Sequence, residues 1–208
     1  MDTQAKPSPR DRLLDAATEL FYREGVGTGI DALCKAAGVS KRSMYQLFDS
    51  KDEVMAAALE RRAPGYASLL LPAADDPRPP RARVLHVFER LEELSRAEDY
   101  RGCPYLAVQV ELKDGTHPAS AVAARVKQAL TDFFRAEAER GGAADPALLA
   151  RQLTLVFDGA SARAGAAGES LAGLAVPTAA LLLDAAGMRR APAAGRGPQT
   201  VPPEVTRG

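Results

Sequence analysis

Between Ser40 and Lys51 the sequence sets out side chains suited to holding a polyanion and reading what it carries: Ser40, Lys41, Arg42, Ser43, Tyr45, Gln46 and Lys51. Arg pairs bidentately with guanine edges and Gln with adenine edges, while hydroxyls and Lys hold phosphates. Spacing decides whether they can act together. With Met44 at zero and 100° per residue, Leu47 and Phe48 fall within about 60° of it, so these three define a buried stripe. Arg42 and Gln46 then lie opposite, one turn apart, with Ser43 and Tyr45 on the flanks. A helix of that size fits the major groove of a duplex. Lys51 follows at the start of the next helix, where free N–H groups also favour an anion.

Charge supports a local patch and excludes a bulk effect. The 208 residues carry 27 basic and 27 acidic side chains. Residues 1–62 are likewise balanced, yet residues 35–51 hold Lys35, Lys41, Arg42 and Lys51 against Asp49 alone. A solvated helix face with fortuitous lysines accounts for the charge equally well. The turn in front of it separates the two readings: a Gly-ended short helix joined to an outward-polar one is a helix-turn-helix.

The elements that must position this face are legible from caps and period. Residues 8–24 form a first helix, with Ser8 as cap, Pro9 in the first turn and Gly25 as stop. "GVGTG" (25–29) lacks the preceding strand and following Lys of a phosphate loop, and reads as a turn. A second helix carries Ile30, Leu33, Cys34 and Ala37 on one face and stops at Gly38. Ser40 caps the third. "SKDE" at 50–53 has capping-box spacing and opens a fourth, running to Leu70. "PAADDPRPP" (72–80) is a loop. Further helices are expected over 81–97, 104–113, 118–140, 146–166 and 177–187, with no strand. From Met188 onward the Arg, Pro and Gly content reads as a disordered tail.

With these residues in view, "TGIDALCKAAGVSKRSMYQLFDSKDEVMAAAL" (28–59) resembles the DNA-binding domain of the TetR family of bacterial transcriptional regulators. The resemblance rests on the spacing of Thr28, Ile30, Ala37-Gly38-Val39-Ser40, Tyr45, Phe48, Ser50-Lys51 and Glu53, with "LLDAATELFYREG" (13–25) matching the first helix. It adds Thr28 to the DNA-binding set. Gly29 stands where a second small hydroxyl residue is common, and Arg42-Ser43-Met44 replaces the frequent Gly-Thr-Leu. The first departure is expected to weaken one phosphate contact or to loosen that helix start; the second, to alter which operator is read and not the fold.

The resemblance implies an all-α protein: a three-helix helix-turn-helix domain over 1–50, then a helical effector-binding and dimerisation domain over 51–187 entered by a connecting helix (51–71). It implies a homodimer on a palindromic double-stranded operator, a repressor released by a small-molecule effector. A regulator without a small-molecule ligand, constitutive or controlled by a protein partner, is the alternative. Residues 145–187 suit a dimer interface, with bulky Leu149, Leu153, Val156 and Phe157 beside small Gly159, Ala160, Ala164 and Ala167; packing within one chain is the competing account. For the effector, Phe88, Tyr105, Gln109, His117, Phe134 and Phe157 are candidates, each also explicable as core.

No catalytic role, metal or cofactor is expected. The two histidines stand far apart, and Cys34 and Cys103 make neither a metal cluster nor a disulfide framework. Nothing near Cys103 in sequence would lower its pKa to make it a redox sensor. No apolar run reaches a membrane span and residues 1–9 lack a signal-peptide core, so the expected location is the cytoplasm.

Overall fold

The computed structural model describes residues 7–188, and among these the chain forms helices and no strand. They are α1 Pro9–Glu24, α2 Ile30–Ala37, α3 Lys41–Leu47, α4 Lys51–Leu70, α5 Pro80–Leu94, α6 Pro104–Leu112, α7 Pro118–Arg140, α8 Pro146–Ala167 and α9 Ala175–Ala185. Proline occupies the first turn of α1, α5, α6, α7 and α8, where its missing N–H has no helical partner to lose. The expected caps form: Ser8, His117 and Asp145 accept from the N–H of Asp11, Ala119 and Leu148.

Several boundaries differ from the sequence expectation. α5 stops at Leu94, where residues 91–97 tighten into a turn closed by Ser95 and Arg96 N–H bonds. α9 begins two residues early, at Ala175. Met188, expected to open the tail, is buried, and its N–H donates 2.8 Å to the Leu183 carbonyl. The remainder of that expected tail, 189–208, lies outside the described residues.

The apolar side chains gather into two cores. Leu13, Leu14 and Ala17 of α1, Leu33, Cys34 and Ala37 of α2, Met44 and Phe48 make the smaller one. The larger one joins α4 to α9 around Phe88, Phe134, Leu153 and Phe157, each buried ring or aliphatic group contributing about 1.5–3 kcal/mol. α4 belongs to both. Val54 and Ala58 close the small core, while Met55 and Leu59 enter the large one. A cut between residues 50 and 51 therefore divides sequence, not packing.

One buried ion pair fastens the proline-rich loop. Arg83 Nε lies 2.9 Å from Glu137 Oε1, and Arg83 also donates to the carbonyls of Ala73 and Asp76, each at 3.0 Å. Arg140 donates to both Glu137 oxygens from the next turn of α7. The carboxylate is thus fully bonded, which a buried charge requires.

Candidate functional site

α2 ends in a left-handed Gly38 (φ 61°), a conformation in which a Cβ would clash with the backbone. Its N–H donates to Lys35 O at 3.2 Å and Val39 N–H donates to Cys34 O at 3.0 Å, so the helix closes on its own carbonyls before the chain turns. Arg12 of α1 reinforces the turn from outside: its Nε donates to Ala37 O at 3.1 Å and an Nη donates to Gly38 O at 3.4 Å. Sequence reasoning passed over Arg12, whose role needs a partner 25 residues away.

α3 then starts at Ser40, whose hydroxyl oxygen accepts from Ser43 N–H at 3.0 Å and lies 2.9 Å from the Ser43 hydroxyl. Met44 is wholly buried, and Arg42, Gln46 and Tyr45 are exposed, as the helical wheel requires. Leu47 corrects it: this residue is 39% exposed. The helix ends there, and Phe48 turns into extended backbone (φ −146°), which carries its ring into the small core beneath the Arg10 guanidinium. Leu47, the last helical residue, falls at the edge of the stripe, and only Met44 and Phe48 are carried fully into the core.

The remaining residues of the sequence set divide. Lys41 ion-pairs with Asp31 at 2.7 Å, both exposed. Thr28 is buried and donates its hydroxyl to Gly25 O at 3.0 Å, closing the α1–α2 turn. Lys51 turns inward: its ammonium donates to Val26 O at 2.9 Å and to Thr28 O at 3.3 Å. Both residues brace the turn before α2, off the outward face of α3. Gly29 caps α2 with no side-chain bond, and Leu33 N–H donates to its carbonyl at 3.1 Å. At α4 the Ser50 hydroxyl accepts from Glu53 N–H, but the Glu53 carboxylate accepts from Asp49 N–H at 2.7 Å, one residue upstream of a true capping box. Among the described residues Lys35 and Arg42 make no ion pair, so they are the unengaged cations of this face.

Three polar ties join this unit to the larger core. Val26 N–H donates to Glu111 Oε2 at 2.9 Å, at the end of α6. Arg101 N–H donates to the Tyr22 hydroxyl at 2.8 Å. His117, at the cap of α7, places Nε2 3.4 Å from Asp52 Oδ1 at the start of α4.

Within the larger core a cavity of about 250 Å³ opens between α4, α6, α7 and α8. Tyr105 and Phe157 line it, as the sequence suggested. Phe88 and Phe134 do not: they are fully buried and stack on each other at 5.7 Å. His117 belongs to the junction described above, and Gln109 is absent from the lining. Sequence reading missed Tyr66, Cys103 and Lys127, which do line it. Pro64, which cannot donate to the helix and lines the same wall, is the sequence signal nearest to Tyr66; Cys103 and Lys127 had none. Tyr105 donates its hydroxyl to Leu59 O on α4 at 3.1 Å. Burial pushes the Tyr66 and Tyr105 hydroxyls well above their ordinary pKa, and Tyr100 to about 12. Cys103 and Cys34 are both free and buried. Among the described residues no cluster of His, Cys, Asp or Glu could hold a metal ion, and no helix is long and apolar enough to cross a membrane.

Known proteins share this arrangement. Residues 13–58 match the family profile described as "Bacterial regulatory proteins, tetR family". A proposed TetR transcriptional regulator from Streptomyces avermitilis is 64% identical in its crystal structure, with 88% of this chain and 100% of that one covered and a TM-score of 0.86. SCO4454 of Streptomyces coelicolor, a TetR-family transcriptional regulator, is 26% identical over 86% of this chain and 95% of its own, with a TM-score of 0.78. Among curated relatives, the HTH-type transcriptional activator FasR of Mycolicibacterium smegmatis is 34% identical over 114 residues, 50% of this chain. That match spans about half (52%) of FasR.

Proposed function

The chain belongs to the TetR family of bacterial transcriptional regulators, and from that premise we propose that it is a repressor, bound as a homodimer to a palindromic operator and released by a small molecule entering the inner cavity. Residues 40–48 are the reading surface, with Arg42 and Gln46 on base edges and Ser40, Lys41, Ser43 and Tyr45 on phosphates. Thr28 and Lys51 contribute by holding the turn ahead of α2 in place. Such a regulator works in the cytoplasm, where its operator is.

The observation that carries this reading is the double membership of α4. Its first turns complete the core under the recognition helix, and its later turns, Ala63 to Leu70, wall the cavity. A ligand that shifts α4 therefore shifts the reading surface, and the polar ties at Asp52 and Glu111 share in that movement. Support for the dimer comes from α8 and α9. Leu149, Leu153 and Phe157 are consumed by the chain's own core, whereas Leu148 (48% exposed), Leu155 (74%), Leu174 (52%) and Leu181 (69%) remain outside. Leu148 and Leu155, seven residues apart, lie on one face of α8, while Leu174 at the cap of α9 and Leu181 within it extend the exposed apolar surface. Two such helices from each copy make a four-helix contact with two-fold symmetry.

Operator selection from a random duplex pool tests the reading. It should return a palindrome with half-sites about one helical turn, or a multiple of it, apart; enrichment of a single half-site would refute the dimeric mode. Metabolite fractions that raise the melting temperature should release the selected operator, since a ligand of the native state stabilises by mass action. FasR, described as an activator, favours a second reading of the output. A promoter-reporter strain carrying the selected operator decides between the two by the direction of change on deletion of the regulator.

A further inference from the structure

Resting on the reading of the inner cavity as the effector site, we infer that its occupant is an uncharged, essentially hydrocarbon molecule the size of two fused aromatic rings. The volume sets the size. An apolar cavity of about 150 Å³ holds benzene, and the about 250 Å³ between α4, α6, α7 and α8 leaves room for a second ring. Small side chains on α4 create this space, because Ala63, Pro64 and Ala67 face it where bulky residues would fill it.

The walls set the chemistry, and they are carbon almost throughout. Tyr66 and Tyr105 meet edge to face at 5.2 Å and 62°. The Tyr105 hydroxyl is committed to Leu59 O, so its ring is what remains for a ligand. The Tyr66 hydroxyl stays neutral, since burial first and the Cys103 thiol next raise its pKa.

Lys127 is the one charge on the lining, and it is already engaged. Its ammonium pairs with Asp158 of α8 and stands 5.0 Å above the centre of the Phe157 ring. No carboxylate lines the cavity, so a cation would be buried beside Lys127 without a counter-charge. Asp158 already neutralises that ammonium, so an anion would surrender its hydration without meeting a net positive charge. A neutral ring incurs neither cost and gains the apolar transfer term.

Calorimetric titration of the full chain without DNA tests this, using naphthalene, 2-naphthol, 2-naphthoate and a naphthylmethyl-trimethylammonium salt. The two neutral probes should bind at least about tenfold more tightly than either charged one. Ala67→Phe, which fills the cavity from α4, should abolish naphthol binding, with a melting curve reporting whether the variant is folded. Ala129→Leu, from the α7 wall, repeats the test if it is not. A charged probe binding as tightly as naphthol, naphthol binding undiminished in a folded filled variant, or no neutral probe binding at all would each overturn the inference. The effector reading fails separately: naphthol that binds but leaves operator affinity unchanged removes the regulatory role and leaves the ligand class standing.

Discussion

The ammonium of Lys51 lies 2.9 Å from the carbonyl oxygen of Val26, across the start of α4 and the turn that precedes α2. A second bond, to Thr28 O at 3.3 Å, makes this lysine a brace between the start of α4 and the turn before α2. Position in sequence pointed the other way, because a lysine after a Ser cap stands where an anion is favoured.

Lys51→Ala should therefore lower stability by about 1.5–3 kcal/mol, the range for a hydrogen bond to a charged group. It should weaken preferred and scrambled operators alike while leaving the salt slope unchanged. Lys35→Ala, which removes an unengaged exposed cation, should instead reduce the slope by about one unit per subunit with the melting temperature held. Binding titrations at two salt concentrations, with melting curves, separate them. A reduced slope in Lys51→Ala at unchanged stability would restore it to the phosphate contacts.

Arg42→Ala should cost about 1–3 kcal/mol on the selected operator and relax preference at one position per half-site. Tyr45→Phe, which loses only a hydroxyl on an exposed flank, should weaken all sites evenly. A panel of operators mutated position by position is the measurement. An even loss for Arg42→Ala would remove it from the base-reading role.

Leu155→Glu combined with Leu181→Glu should convert the protein to a monomer at micromolar concentration and abolish tight operator binding. Both side chains are exposed in the single chain, so the fold should survive the exchange. Sedimentation equilibrium with circular dichroism decides it. A folded dimer in the double variant would place the interface elsewhere.

The buried and partly buried tyrosines make alkaline pH destabilising. Tyr22, Tyr66, Tyr100 and Tyr105 all have raised pKa values, with burial the leading cause in each. Their unfolded counterparts ionise near pH ~10. Below that pH both states keep their protons, and the contribution is fully present. Above it the unfolded chain releases protons that the folded chain retains, so stability falls until the folded values, about 12 for Tyr100, are passed. Denaturant melts from pH 8 to 11 should show falling midpoints only above about pH 10, and tyrosinate absorbance from these residues should rise together with unfolding. Full ionisation in a still-folded protein would contradict their burial.

Helix identity, order and most ends were legible in the amino-acid sequence, because caps, proline at first turns and the 3.6-residue period act over a few residues. Ser8, Gly38, Ser40 and Asp145 do their work through neighbours within four positions. The outward row of Arg42 and Gln46 was equally legible, since one helix defines it. What the tertiary structure alone decided depends on partners far along the chain. Leu47 faces out and Phe48 faces in because α3 stops between them, where α1 and α4 complete the core. Thr28 and Lys51 donate to the α1–α2 turn because its carbonyls need donors. The cavity belongs to no single element: it is space left where the small residues of α4 meet α6, α7 and α8, and Lys127 of its wall is paired with Asp158, 31 residues away. Local signals fix which residues are helical and which face they share; which faces meet is set by the packing of the whole chain.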